Sequence, residues 1–327
     1  MNTFRWGILG TGGIAQSFVA DLAFLPDHKI AAIGSRTIES ADAFGESYPD
    51  AERYGSYEEL VQADVDAIYI ATPHTFHYEN MKLALNAGKH VLCEKSFTIN
   101  AEQAREVIDL ARSKGLALQE AMWTRFLPHI RRVREIISAG TLGEIHTVIA
   151  DHGQKLTPNP NPRLWSPELG GGALLDVGIY PIALAHMVFG KPETIAAAAT
   201  FSDLGVDLQT SMIFTYASGA HASLTSSFLS RTPNTASIVG DKARIDIDGI
   251  FYCPSSFTVI ATDGTVIERF ENNYVGGGLR EEAATLATNI SAGRLECSEL
   301  PHEETLEIME VMDEIRAIIG MRFPEEC

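Results

Sequence analysis

The chain has 327 residues, which is enough for two domains of about 150 residues each. Its composition, 45% hydrophobic and 21% charged, excludes a disordered chain, because such a chain has too little apolar surface to offset the entropy of ordering. The 25 basic and 43 acidic residues give a formal net charge of -18, which disfavours binding to nucleic acid or to an anionic membrane surface.

The first 120 residues alternate between short apolar strands and amphipathic helices. Strands are predicted at residues 4–9, 29–34, 67–71, 90–93 and 116–120. Helices are predicted at residues 14–24, 38–48 and 76–87, with a short one opened by the capping box of Ser56 and Glu59, and another that Asn100 caps and Gly115 ends. Strands alternating with helices predict α/β structure, with a doubly wound parallel sheet of the Rossmann type in a domain spanning residues 1–122.

Beyond residue 122 the hydrophobic pattern changes to a period of two, which is typical of antiparallel strands. Six strands are predicted, over residues 144–153, 193–202, 208–217, 219–229, 235–247 and 256–270. Ser218-Gly219 and Asp263-Gly264 are hairpin turn signals. With helices near 174–189 and 302–319, this pattern predicts an α+β domain over residues 123–327, in which the C-terminal helix at 302–320 is a candidate to pack back on the first domain.

A glycine-rich segment lies directly between the first strand and the first helix. It reads Gly10-Thr11-Gly12-Gly13-Ile14-Ala15, a G-x-G-x-x-A pattern. Glycines at this junction allow a tight turn and a close approach of the backbone to a pyrophosphate at the helix N-terminus. We therefore predict a dinucleotide cofactor, bound by Gly10, Gly12, Gly13 and Ile14.

The end of the second strand bears on the choice between NADP and NAD. An acidic residue there would bind the ribose hydroxyls, but the chain reads Gly34-Ser35-Arg36-Thr37. Arg36, with the hydroxyls of Ser35 and Thr37, suits a 2′-phosphate, which needs positive charge and hydrogen-bond donors. This favours NADP, with NAD as the second candidate; the alternative is that Arg36 is a solvated loop residue.

Two further strand ends carry polar residues at the edge where open parallel sheets bind ligands. The strand at 67–71 leads into Thr72-Pro73-His74-Thr75-Phe76-His77, and the strand at 90–93 leads into Glu94-Lys95. Cofactor-binding residues are therefore predicted at Thr72, Pro73, His74, His77, Glu94 and Lys95. The two histidines lack a third ligand at a supporting spacing, so no metal is predicted.

These motifs together resemble the Gfo/Idh/MocA (glucose–fructose oxidoreductase/inositol dehydrogenase) family. The resemblance rests on the glycine loop, Thr72-Pro73, His77, residues 87–91 (AGKHV), Glu94-Lys95 and residues 170–180 (GGGALLDVGIY), so it spans essentially the whole chain. Residues 120–126 (EAMWTRF) and 170–180 resemble the subgroup of dimeric dihydrodiol dehydrogenases and NADP-dependent D-xylose dehydrogenases. The usual Glu-Lys-Pro is here Glu94-Lys95-Ser96.

The resemblance implies a C-terminal domain with a large, open, predominantly antiparallel sheet, often used to form a homodimer or higher oligomer. It also implies that Lys95 and Tyr180 form the catalytic pair of an alcohol dehydrogenation. A phenol has a pKa near ~10 in water, and a neighbouring lysine cation favours the phenolate that accepts a proton. Asp176, four residues before Tyr180, is a third candidate. The alternatives are an interface aromatic for Tyr180 and a helix-start charge for Asp176.

Further aromatic and basic residues are candidates for the substrate pocket. Trp123, Arg125 and Phe126 fall at the predicted domain junction, and His152 and Trp165 precede the glycine triplet at residues 170–172. Interdomain packing and loop anchoring are the alternatives for these five residues. The expected substrate is a cyclic polyol, either an aldose or a trans-dihydrodiol; an inositol or amino-sugar dehydrogenase and a non-catalytic NADP sensor remain alternatives.

The cysteines and the N-terminus bear on the compartment. Cys93, Cys253, Cys297 and Cys327 are scattered, without the spacing of a metal site or a disulfide framework. Residues 1–10 have no signal-peptide layout. We therefore expect free thiols and a cytoplasmic protein.

Overall fold

The computed structural model describes residues 3–158 and 162–326. The chain forms two compact units, of which the first comprises Met1–Phe126 and Val275–Thr305 and the second comprises Leu127–Tyr274 and Leu306–Cys327. The return of residues 275–305 to the first unit was not anticipated from the sequence. Cys327 lies outside the described residues, and the other three cysteines are free thiols.

The first unit is built on a six-stranded parallel sheet with the order β3-β2-β1-β4-β5-β6. Its strands are β1 (Phe4–Leu9), β2 (His28–Gly34), β3 (Glu52–Tyr54), β4 (Ala67–Ile70), β5 (His90–Glu94) and β6 (Leu118–Ala121). This is the strand order of a Rossmann fold, so the predicted doubly wound sheet is confirmed. The short strand β3 was not predicted, because its three residues, which pair with β2, are too few to show a strand pattern in the sequence.

Of the helices described in the first unit, five lie close to the predicted ranges, and the one at residues 280–291 was not predicted. The helices are α1 (Gly13–Leu22), α2 (Ile38–Gly45), α3 (Tyr57–Leu60), α4 (His77–Asn86), α5 (Ala101–Lys114) and α8 (Arg280–Ser291), with single 3-10 turns at His74–Phe76 and Trp123–Phe126. Ser56 and Asn100 accept the expected capping bonds from the backbone N–H groups of Glu59 and Gln103. The core between sheet and helices contains Trp6, Phe18, Tyr69 and, from α8, Leu286.

The second unit contains an eight-stranded sheet with the order β14-β13-β12-β11-β7-β10-β9-β8. Its strands are β7 (Ile145–Gly153), β8 (Thr194–Phe201), β9 (Asp207–Thr215), β10 (His221–Ser227), β11 (Ala236–Gly240), β12 (Ala243–Ile247), β13 (Phe257–Ala261) and β14 (Val266–Phe270). Every neighbouring pair is antiparallel except β7 and β10. The predominantly antiparallel sheet is confirmed, but the prediction of six strands was wrong. Residues 235–247 and 256–270 each form a hairpin. The first turns over residues 241–242, and the second turns over residues 262–265, which include the turn signal Asp263-Gly264.

One face of the second unit's sheet is covered by helices. The helices are α6 (Pro128–Ser138), α7 (Ile179–Phe189) and α9 (His302–Ile319), with a π-type turn at Leu174–Gly178 and 3-10 turns at Pro162–Trp165, Pro167–Leu169 and Pro324–Glu326. The first turn of α9 belongs to the first unit, where the His302 ring meets the carbonyl oxygen of Leu118 at 2.8 Å. The segment Pro167–Phe189 is long and apolar enough to cross a membrane, but 78% of its apolar 18-residue window is buried inside the protein, as expected of a core helix.

Candidate active site

The glycine loop of the first unit has the geometry of a phosphate cradle. Gly10 has a φ of 100°, and a Cβ atom there would lie 2.9 Å from the carbonyl oxygen of Ala71, so only glycine fits between the ends of β1 and β4. Gly12 is the N-cap of α1 and supplies no side-chain cap, while a Cβ on Gly12 or Gly13 would meet open space. The helix amides therefore face room for a diphosphate, and the residues present fit a dinucleotide.

The residues after β2 place positive charge beside hydroxyl groups. Ser35 is buried and its hydroxyl lies 3.0 Å from that of Thr11 in the glycine loop. The Thr37 hydroxyl accepts the backbone N–H of Ser40 at 3.3 Å and so caps α2. Arg36 is exposed between them. The N-terminus of α2 adds its partial positive charge to the guanidinium, an arrangement suited to a phosphate group.

His77 connects two loops at the same sheet edge. Its ring is fully buried, with Nδ1 lying 2.9 Å from the carbonyl oxygen of Ser96 and Nε2 lying 2.9 Å from that of Thr72. Burial lowers the pKa of His77 to about 4, so the ring is neutral near pH ~7 and one nitrogen donates a hydrogen bond. The buried His74 ring packs edge-on against it. Cofactor contacts by Thr72, Pro73, His74 and His77 stay predictions.

The turn that carries Lys95 is held at the sheet edge by hydrogen bonds to the Glu94 carboxylate. Lys95 follows the last residue of β5, Glu94, whose carboxylate accepts the Tyr69 hydroxyl at 2.5 Å and the Lys95 backbone N–H at 3.3 Å. Tyr69 stacks on Phe18 of α1 with the ring centroids 3.7 Å apart. A buried chain of contacts therefore joins the lysine turn to the helix that follows the glycine loop. The Lys95–Ser96 peptide bond is cis.

Helix α8 contributes a buried carboxyl, that of Glu282, close to the carboxyls of Glu94 and Glu120. Glu282 is 0% exposed, and neither of its carboxyl oxygens has a hydrogen-bond partner among the described residues. Burial, with the negative charges of Glu94 and Glu120 nearby, holds the pKa of Glu282 well above its usual range. Burial also raises the pKa of Glu120 to about 7. No motif indicates this cluster, because its carboxyls come from three separate elements, β5, β6 and α8.

Glu282→Gln is expected to stabilise the protein increasingly as the pH rises. An unfolded glutamate titrates near ~4.3, whereas folding favours protonated Glu282, so this group contributes stability at low pH that is lost with rising pH. Glutamine cannot ionise. The difference in unfolding free energy between variant and wild type should therefore grow by up to about 1.4 kcal/mol per pH unit.

Urea unfolding at about pH 5 and about pH 8 measures this difference. Glu281→Gln is the matched control, since it makes the same replacement on the same helix at a side chain that is 23% exposed rather than fully buried. A Glu282→Gln effect of equal size at both pH values would contradict the protonated state.

Tyr180 of the second unit lies in a group of aromatic rings. It is 7% exposed, and its ring centroid lies 5.2 Å from that of His152 and 4.8 Å from that of Tyr252. His152 and Tyr252 stack on each other at 3.8 Å. The Gln154 amide lies 2.9 Å from Nε2 of His152 and 3.4 Å from the Tyr252 hydroxyl. Burial raises the pKa of Tyr252 to about 12, so this phenol is neutral near pH ~7.

Tyr252 and Gln154 were missed by the sequence reasoning. Tyr252 stands in the loop between β12 and β13, in a segment with no recognised motif, and only the folded sheet brings it to Tyr180. Gln154 follows His152 at spacing two, directly after β7, and this same-face position is the signal that could have identified it.

The other predicted residues of the second unit have structural partners. Asp176 lies in the π-type turn and forms an ion pair with Arg163 at 3.3 Å, so the α-helical spacing assumed between Asp176 and Tyr180 does not apply there. Trp165 stacks on Phe228 at 5.5 Å. Catalytic and substrate roles for these two residues stay predictions.

Residues 123–126 form a 3-10 turn at the end of the stretch Met1–Phe126, the first of the two stretches that make up the first unit. Phe126 is 0% exposed, Arg125 is 2% exposed and forms an ion pair with Glu304, and Trp123 packs partly buried against the core. These contacts lie within the first unit, and substrate contacts by the three residues stay predictions. Lys95 belongs to the first unit and Tyr180 to the second, so their pairing also stays a prediction.

The fold and the glycine loop together define an oxidoreductase with a nicotinamide-dinucleotide domain. Residues 4–122 match the family model described as the oxidoreductase family, NAD-binding Rossmann fold, and residues 130–246 match that of the GFO/IDH/MocA C-terminal domain. The chain belongs to the Gfo/Idh/MocA family, which confirms the family predicted from its motifs.

Similar proteins cover the whole chain. Trans-1,2-dihydrobenzene-1,2-diol dehydrogenase of Macaca fuscata fuscata is 35% identical, over 98% of both chains. The NADP(+) D-xylose 1-dehydrogenase of Hypocrea jecorina is 35% identical, over 99% of this chain and 94% of that one. A 3-ketoreductase from Actinomadura kijaniata, solved in complex with NADP and TDP-benzene, is 28% identical with a TM-score of 0.86, over 97% of this chain and 98% of that one.

Proposed function

We propose that this protein is an NADP-dependent dehydrogenase of a cyclic polyol, either an aldose oxidised at its anomeric carbon or a trans-dihydrodiol. The observation that carries the proposal is the place of Lys95. Lys95 follows directly on β5, at the carboxyl edge of the parallel sheet. The glycine loop follows β1 at the same edge, and only β4 lies between β1 and β5. Dinucleotides bind along this edge in open parallel sheets.

The chain's own residues have distinct tasks in this chemistry. Gly10, Gly12 and Gly13 would hold the diphosphate, and Arg36 with Ser35 would hold the 2′-phosphate. When bound, NADP accepts a hydride from the carbinol carbon. Tyr180 takes the hydroxyl proton of the substrate as phenolate, and the Lys95 ammonium favours that phenolate and stabilises negative charge developing on the substrate oxygen.

The aromatic group around Tyr180 supports a ring-shaped substrate. His152 and Tyr252 form a stacked pair beside the Tyr180 ring. An aromatic face packs against the apolar C–H surface of a sugar or diol ring, while Gln154, hydrogen-bonded to this pair, adds a polar group. The relatives that act on an aldose or a dihydrodiol are consistent with such a substrate.

A substrate panel tests the proposal. The purified protein is incubated with NADP⁺ and, separately, D-xylose, D-glucose, myo-inositol and a trans-dihydrodiol, and the absorbance of the reduced nicotinamide is followed. Turnover with an aldose or the dihydrodiol is expected. Turnover with myo-inositol alone would support an inositol dehydrogenase instead. NADP binding, seen by nicotinamide fluorescence, without turnover on any compound would support a sensor.

The uncovered face of the second unit's sheet supports a homodimer as part of the proposal. Ile149 of β7 and Ile213 of β9 are 52% and 51% exposed, and both are in register with Ser223 of the intervening strand β10. Large apolar side chains exposed on the same face of a sheet favour an interface with a second copy of the chain. The three free cysteines of the described chain are consistent with a reducing compartment such as the cytoplasm.

Ile213→Glu is expected to convert the dimer into a monomer, because a charge in the centre of an apolar interface is left without solvent or a partner. Light scattering after size-exclusion chromatography measures the mass. Val266→Glu is the matched control, since Val266 is 57% exposed on β14 at the sheet edge and should leave the dimer intact. A monomeric wild type would contradict this part of the proposal.

A further inference from the structure

The last residue of the glycine triplet at 170–172, which precedes the helix of Tyr180, must be glycine because the Asp207 carboxyl lies against it. Gly172 has a φ of 116°, and a Cβ atom there would lie 2.3 Å from Oδ1 of Asp207. Any other residue would therefore be both strained and in collision with this carboxyl. The last glycine of the motif leaves room for Asp207, which reaches the helix from β9.

Asp207 caps the beginning of that helix. Its Oδ2 accepts the backbone N–H of Leu174 at 2.9 Å and the hydroxyl of Thr210 at 2.8 Å. Leu174 is the first residue of the π-type turn that continues into α7, and the local N-cap residue, Ala173, supplies no side-chain hydrogen bond. The cap that the local sequence lacks is therefore supplied by a residue 33 positions away.

The burial of Asp207 is unfavourable in itself. The residue is 0% exposed, and its Oδ1 has no hydrogen-bond partner among the described residues. Desolvation raises the pKa of Asp207 to about 6. Burying a carboxyl with one oxygen that accepts no hydrogen bond costs free energy, and the two hydrogen bonds of Oδ2 at the helix start offset that cost.

The same helix carries Tyr180, six residues after Leu174. Farther along the π-type turn, Gly178 packs closely on β10, since a Cβ there would lie 3.1 Å from the Ser226 hydroxyl oxygen. With its start held by Asp207 and this turn held by β10, the helix has little freedom to shift or rotate. The Tyr180 ring is thereby fixed against His152 and Tyr252.

We propose that Asp207 is a positioning residue for Tyr180, acting through the helix start that Gly172 allows it to cap. This inference rests on the proposed function, in which Tyr180 transfers the substrate proton. Loss of the cap lets the first turn rearrange and displaces the phenol, and a displacement of about 1 Å lowers the rate by up to about 10²-fold.

Asp207→Ala is expected to lower kcat about 10- to 100-fold, with the dissociation constant for NADP unchanged because the cofactor residues belong to the first unit. Asp207→Asn keeps a carbonyl oxygen that accepts the Leu174 N–H and should recover most of the rate. Asp241→Ala is the matched control. Its carboxylate accepts the Glu144 backbone N–H at 2.8 Å in a turn of the same unit, and its loss should leave kcat unchanged.

A double-mutant cycle separates positioning from a purely structural role. In a Tyr180→Phe background, Asp207→Ala should lower the residual kcat no further, because the group it positions is gone. An equal loss of kcat in both backgrounds would overturn the proposal. So would a lower melting temperature with unchanged kcat in Asp207→Ala. If that variant does not fold, Gly172→Ala provides the same reading, because its Cβ would collide with the Asp207 carboxyl and displace the cap.

Failure of the inference is distinguishable from failure of the proposed function. If Tyr180→Phe abolishes turnover while both Asp207 variants turn over as wild type, the positioning role is wrong and the proposed function stands. If Tyr180→Phe itself turns over normally, the proposed function and the inference that rests on it are both wrong.

Discussion

Tyr180→Phe is expected to lower kcat about 10²- to 10⁴-fold, because phenylalanine cannot accept the substrate proton. The phenyl ring keeps the contacts with His152 and Tyr252, so the fold and the Kd for NADP should be unchanged. Lys95→Met should have an effect of similar size, since it removes the cation that favours the phenolate and leaves a side chain of similar length. Both rates are measured with the best substrate of the panel at saturating NADP⁺.

Tyr216→Phe is the control for the loss of a buried phenol. Tyr216 is 7% exposed, packs on Phe189 at the far end of α7 and has no hydrogen bond from its hydroxyl among the described residues. Its kcat should equal that of the wild type. Wild-type kcat in both Tyr180→Phe and Lys95→Met would show that neither residue takes part in proton transfer.

Arg36→Ala is expected to raise the KM for NADP about 10- to 100-fold, because a charged hydrogen bond to phosphate contributes about 1.5–3 kcal/mol. The KM for NAD, which lacks the 2′-phosphate, should change little. The reason is local: Arg36 is exposed beside the N-terminus of α2, whereas the chain as a whole carries a net charge of -18. Steady-state kinetics with both cofactors measures the ratio.

Lys29→Ala is the matched control for this change of charge. Lys29 lies on the same strand, β2, at its opposite end, and its replacement should leave both KM values unchanged. A wild type that prefers NAD, or an Arg36→Ala variant that loses affinity equally for both cofactors, would contradict the assignment of Arg36 to the 2′-phosphate.

Much of the first unit was predictable because its signals are local. The glycine loop fixes the junction of β1 and α1, and Asn100 and Gly115 mark the ends of α5 by capping rules that depend on only a few neighbouring residues. The helix at residues 302–319 was predicted with the bounds that α9 has in the structure. The first two signals depend on the residue type at single positions, and the third depends on the apolar period along one helix.

The rest depended on contacts between distant residues. The hairpin within 235–247 was read as one strand, because the period of two continues through its two-residue turn. The segment 256–270 was also read as one strand, although the turn signal Asp263-Gly264 lies inside it. Helix α8 was not recognised as part of the first unit, because its place in the core depends on tertiary packing alone. Tyr252, Glu282 and Asp207 carry no motif, and their significance comes from neighbours that only the fold provides.

The transfer of deuterium from substrate to nicotinamide tests the central claim most directly. A trans-dihydrodiol or an aldose, deuterated at the carbon that is oxidised, is incubated with NADP⁺ and the protein, and the product is analysed by proton NMR. We expect one deuterium at C4 of the reduced nicotinamide with the wild type and none above background with Tyr180→Phe in the same time. Bound but unreduced NADP⁺ with every deuterated polyol would contradict the assignment as a polyol dehydrogenase.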